Sequence, residues 1–65
     1  MKRRDLIKYL FKNKCVFIRE GAKHSVFFHP LMKKSSTLPR HNEIDDFLAR
    51  KICRDLGIKP PHVVK

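Results

Sequence analysis

The sequence predicts an α+β fold: a helix, three antiparallel strands and a second helix, with both helices on one face of the sheet and the other face open. Three observations predict it. Apolar residues recur at helical spacing near each end of the chain. Residues that favour extended backbone cluster between those ends. The links among the clusters are short enough for hairpins.

Residues 3–13 predict the first helix. Leu6, Ile7, Leu10 and Phe11 share one face, with Arg4, Lys8 and Lys12 opposite, and Asp5 lies in the first turn where a negative charge suits the helix dipole. Asn13 is the expected exit, because Asn tolerates the left-handed conformation that ends helices. Cys15-Val16-Phe17-Ile18-Arg19 reads as a strand, Glu20 to Lys23 as a connection with one glycine, and His24 to His29 as a second strand closed by Pro30. Leu31 to Lys34 is a turn, and Ser35 to Leu38 is a weaker third strand ended by Pro39. Residues 42–56 predict the second helix. Asn42 is the expected N-cap, with Glu43, Asp45 and Asp46 in the first turn. Ile44, Phe47, Leu48, Ile52 and Leu56 form its apolar stripe, Gly57 stops it, and Pro60-Pro61 prevents a restart. This order is that of the double-stranded-RNA-binding-domain-like layout, α-β-β-β-α. One domain is expected over residues 1–58, followed by a flexible tail, 59–65.

A chain of 65 residues is close to the lower limit for unaided folding, burying only about 60% of its unfolded surface. Any chemistry therefore sits at or near the surface. The hydrophobic fraction of 42% is enough for a compact core, so the charge does not by itself imply disorder. Sixteen Lys and Arg against 6 Asp and Glu give a formal net charge of +10. Solubility alone is served by about 2 to 8 charges on a small domain, so the excess points to partners: nucleic acid, an anionic membrane surface or an acidic protein. No apolar run approaches the roughly 20 residues of a membrane span. The basic start Met1-Lys2-Arg3-Arg4 leads into Asp5, Lys8 and Lys12 rather than into the apolar core of a signal peptide, so a cytoplasmic protein is expected. Cys15 and Cys53 read most simply as small core residues, with a single disulfide left open.

The cations lie on helix surfaces and loops from which they can reach phosphates, and the charge favours nucleic acid. Arg19, Lys23, Lys33, Lys34, Arg40 and His41 are the candidate RNA-binding residues. The five Phe and one Tyr read mostly as core, because few other large apolar residues are present to build one. Neither CxxC nor HxxxH spacing occurs, so no metal site and no cofactor are expected. Among the four histidines, His24 has a physical argument for catalysis. It follows a glycine-containing turn where backbone can approach a phosphate, and Lys23 with Arg19 or Lys33 could stabilise charge on a phosphorane. Cutting RNA takes a proton from a 2′-hydroxyl and gives one to the leaving 5′-oxygen, and imidazole titrates near neutrality. The same residues also fit a small RNA-binding module without catalysis, or an interaction protein that docks an acidic partner.

Lys2-Arg3-Arg4-Asp5-Leu6-Ile7-Lys8, the turn Gly21-Ala22-Lys23-His24-Ser25, His29-Pro30 and Leu38-Pro39-Arg40-His41 together resemble the HicA toxins, over roughly residues 2–58. The commonest motif of that family is Gly-Ser-His entering the second strand, with the His catalytic. His24 matches it by its distance to His29-Pro30, while Ala22 and Lys23 stand where Gly and Ser are usual. Gly21 and Ser25 fit a variant, Gly-x-x-His-Ser, and residues 44–57 fit that variant's last helix. The resemblance implies a metal-independent endoribonuclease that cleaves mRNA and inhibits translation, as the toxin of a type II toxin–antitoxin system. It implies His24 as general acid or base, a HicB-type antitoxin as partner, no membrane attachment, and a monomer when the toxin is alone.

Overall fold

The computed structural model describes residues 1–61. Its elements are α1 (Arg3–Lys12), β1 (Val16–Glu20), β2 (His24–His29), β3 (Lys34–Pro39) and α2 (Asp46–Asp55), and the sheet order is β1-β2-β3. Both strand pairs are antiparallel. The element order and the open, three-stranded sheet under two helices are those the sequence predicts.

Strand parity builds the core. Along β2, Ser25, Phe27 and His29 are buried while the residues between them are not, so one face of the sheet points inward. Leu38 of β3 pairs with Ser25 and joins that face. The helices cover it with Leu6 and Leu10 of α1 and Ala49, Ile52 and Cys53 of α2, and Leu56 completes the cluster. The register between β1 and β2 shifts between Phe17 and Arg19, leaving Ile18 as an extra residue.

Six expectations need correction. The N-cap of α2 is Asp45, whose carboxylate accepts from the Leu48 backbone N–H at 2.7 Å. Asn42 does not cap, because Glu43 forms an antiparallel bridge with Lys2 and its two neighbours bond to the start of the chain. The Arg3 N–H donates to the Asn42 carbonyl and the Ile44 N–H to the Met1 carbonyl, both at 2.8 Å. The helix therefore begins later, and Phe47 leaves the apolar stripe: it is two residues from buried Ala49, about 200° around the helix, and 74% exposed. Phe11 also stands 53% exposed at the margin of its face, its ring edge-on to Phe27 at 5.9 Å. Most aromatics are thus not core, since Phe27 alone among the phenylalanines is buried. Finally, the left-handed residue after α1 is Lys14 (φ 74°), while Asn13 holds φ −99° and donates its side-chain amide to the Tyr9 carbonyl. β1 and β3 run a residue beyond their expected ends, and β3 also begins one residue earlier, at Lys34.

Gly57 ends α2 as expected, with φ 78°. Its N–H donates to Arg54 O and the Ile58 N–H to Cys53 O, the pair of bonds that closes a Schellman motif. Cys15 and Cys53 are buried free thiols. Burial, and then the neighbouring Cys15, push the Cys53 thiol up to about 11, so it packs as an apolar group. Of the tail expected to be flexible, residues 62–65 lie outside the described residues. Tyr9 donates its hydroxyl to the Lys59 carbonyl at 2.8 Å, and Pro61 is buried.

Candidate active site

The turn between β1 and β2 and the exit of β3 meet at one end of the sheet. His24 opens β2 opposite Pro39, the last residue of β3. Because Ser25 points into the core, alternation turns His24 outward, where it is exposed. Arg40 and His41 follow Pro39 directly. Ala22, Lys23, His24, Pro39, Arg40 and His41 line a single cleft of about 340 Å3. Four of the residues singled out from sequence, Lys23, His24, Arg40 and His41, are thus brought to one place.

Arg19 joins from the side. It pairs with Val26, two residues along β2 from His24, and so is His24's diagonal neighbour on the outward face, a separation of about 7–8 Å that an arginine side chain spans. Lys33 and Lys34 do not join. Lys34 pairs with His29 at the other end of β2, five residues from His24, which is about 17 Å of strand. The expectation that Lys33 flanks His24 is therefore corrected by the hairpin register.

A polar network that sequence reasoning did not anticipate holds the cleft in shape. Arg3 donates from Nη2 to Ser25 Oγ at 2.7 Å and from Nε to the Pro39 carbonyl at 2.9 Å, tying α1 to both strands under the cleft. Ser25 Oγ donates to Glu20 Oε1 at 2.9 Å. Glu20 forms an ion pair with Arg40, and Arg40 Nη2 donates to the Gly21 carbonyl at 2.9 Å. The Gly21 N–H closes the turn onto the His24 carbonyl at 2.6 Å. A Cβ at Gly21 would stand 3.1 Å from that carbonyl, so the turn packs backbone on backbone. The sequence signal for this network is Ser25 itself: a hydroxyl at an inward strand position must find a partner. Every buried side-chain polar atom among the described residues has one.

The free valences of the site are cationic. Arg40 uses two of its five donors on Glu20 and Gly21, and the others remain. Lys23 has no hydrogen-bond or ion-pair partner among the described residues. His29, by contrast, is 6% exposed and accepts the Met32 N–H at Nδ1, which makes it part of the fold. Among the described residues, no group of three or more His, Cys, Asp or Glu side chains is placed to hold a metal ion. No helix among them is long and apolar enough to cross a membrane.

Fold and site together define a class: a small basic α+β module that presents two exposed histidines, His24 and His41, among cations at a sheet end. Residues 3–58 match the family model described as the HicA toxin of bacterial toxin–antitoxin systems. The match spans most of the chain, and the chain belongs to the HicA toxin family. No curated protein matches the chain, and no solved structure does.

Proposed function

We propose that the chain is an endoribonuclease that cleaves mRNA and so inhibits translation, with His24 as general acid or base. The observation that carries this reading is the convergence of Lys23, His24, Arg40 and His41 on one cleft in a chain of a toxin family. In the reaction, one imidazole takes the proton of the ribose 2′-hydroxyl as the 2′-oxygen attacks phosphorus. The P–O5′ bond breaks and the leaving 5′-oxygen is protonated, leaving a 2′,3′-cyclic phosphate and a 5′-hydroxyl. His24 performs one transfer, and His41, on the same cleft, is the candidate for the other. Lys23 and the unengaged donors of Arg40 face the non-bridging oxygens, where charge develops in the transition state. Arg19 steadies the strand on the outward face of the sheet. Lys33 and Lys34, at the other end of that sheet, add general positive charge to the RNA-binding face without a fixed phosphate contact.

Side chains carry this chemistry without a metal, so a chelator leaves the rate unchanged. The substrate is RNA in the cytoplasm, the isolated toxin is a monomer, and the inhibiting partner is a HicB-type antitoxin. Residues 1–58 form the working domain. The deciding experiment is induced expression of the wild type and His24→Ala in parallel, scoring growth and mRNA integrity. A positioned acid or base contributes about 10²–10⁴ in rate, so His24→Ala stops cleavage and restores growth. A folded His24→Ala chain that still kills and still cuts mRNA would overturn the assignment in favour of His41. A folded wild type that binds RNA and never cuts it would favour the RNA-binding module.

A further inference from the structure

The His24 cleft does not stand alone. Arg40, in its wall, also lines a second hollow of about 460 Å3 with Arg3, Glu20 and Asn42. Arg3 and Asn42 in turn line a third, of about 360 Å3, whose other walls are Lys2 and Arg4. Each hollow shares a lining residue with the next, and we read the three as one groove that leads from His24, past Arg40 and Arg3, to Arg4. The shared walls are fixed: Arg3 is bonded to Ser25 and Pro39, and Arg40 to Glu20 and Gly21. At the far end Arg4 is exposed and has no ion-pair or hydrogen-bond partner among the described residues. The Lys2 ammonium lies 3.9 Å from Glu43, with most of its surface open to water. Two carboxylates, Glu20 and Glu43, border the groove. Glu20 is engaged by Arg40 and Ser25, and Glu43 by the chain's terminal ammonium.

We propose that the hollow of Lys2, Arg3, Arg4 and Asn42 is a second phosphate-binding subsite, which seats the backbone of single-stranded RNA next to the scissile phosphate held at His24. Arg4 and Lys2 supply its positive charge and the Asn42 side chain a hydrogen-bond donor, while Arg3 is fixed in its floor. The inference rests on the RNA reading of the His24 cleft. It adds that recognition extends to α1 and to the segment after β3, so the substrate is a strand several nucleotides long that runs along the groove.

The test measures binding of an unstructured oligoribonucleotide of about twelve nucleotides to the full chain carrying His24→Ala, across a range of salt. Lys2→Gln with Arg4→Gln removes two phosphate contacts, which flattens the log–log salt dependence by about 1.4, at about 0.7 per contact. Affinity at physiological salt falls about tenfold. Arg50→Gln with Arg54→Gln, an equal charge change on the outer face of α2, shifts affinity by less than about threefold. Equal losses from the two double variants, or no loss from the first, overturn the second subsite. If wild type still cuts RNA in that case, the His24 reading stands and only the groove fails. If the chain binds no RNA at any salt, both fail. Circular dichroism confirms that each variant is folded.

Discussion

β2 begins and ends on a histidine, and the two ends of the sheet use them in opposite ways. His24 and His29 are five residues apart, an odd number, so strand alternation puts them on opposite faces. His24 faces out into a cleft bordered by Lys23 and Arg40. His29 faces in, 6% exposed, and accepts the Met32 N–H that shapes the turn into β3. The turn at the His24 end is closed by the Gly21 N–H on the His24 carbonyl and braced further by bonds among the charged and polar side chains of Glu20, Ser25 and Arg40. The turn at the His29 end has no ion pair among the described residues: besides the His29 ring it is held by main chain, with Lys33 at φ 56° and its N–H bonded to the His29 carbonyl at 2.7 Å. The same residue type thus lies open to solvent at one end and inside the scaffold at the other, and parity decides which.

The sharpest way to break this comparison is to exchange the expected losses. His24→Ala loses cleavage by at least about 10²-fold and keeps its melting temperature. His29→Ala keeps cleavage per folded molecule and loses about 2 kcal/mol, because removing a buried ring leaves a cavity and the Met32 N–H loses its acceptor. On a domain this small that is about 8–16 °C in thermal melting. A His29→Ala chain with unchanged melting and lost cleavage would reverse the assignment of the two ends. A smaller effect is expected at Ser25. Ser25→Ala removes a bond to Arg3 and one to Glu20 inside the fold. A loss of about 1–2 kcal/mol follows, with cleavage reduced about tenfold as the His24 turn loosens. Calorimetry and single-turnover cleavage read the two losses separately, and an unaltered rate would detach the network from the site. The smallest effect separates the lysines. Lys23→Ala weakens RNA binding a few-fold and lowers its salt slope by about 0.7, while Lys33→Ala, at the other end, changes affinity by less than about twofold.

The two ends also differ in how much of them the sequence discloses. Element order is legible because it follows from periodicity: Leu6 and Leu10 recur at helical spacing, and Ser25, Phe27 and His29 at strand spacing. The candidate cleft is legible in its members, since a turn before β2 and the residues after Pro39 must meet once β2 and β3 pair in register. The registers themselves are not. Nothing local places Lys34 against His29, and that pairing carries Lys33 away from His24. The pairing of Asn42 with Arg3 is equally invisible, because it joins residues nearly forty apart. That bond displaces the helix start and turns Phe47 to solvent. Arg3 as a bridge from α1 to Ser25 is hidden for the same reason: an arginine near the chain start reads as one more solvated cation until its partners are in place.

The pairing of residues 1–3 with 42–44 bears on when the molecule comes into being. Arg3 is made before its partners: its backbone partner, Asn42, follows 39 positions later, and Ser25, its side-chain partner, 22 later. Closing a loop of that length has an entropic cost that nearby contacts do not share, and α2, which completes the core, is made after all three strands. A nascent chain on the ribosome therefore carries His24 long before it has a cleft around it. Assembly waits for Asn42 and for α2, after which the groove and its floor close together.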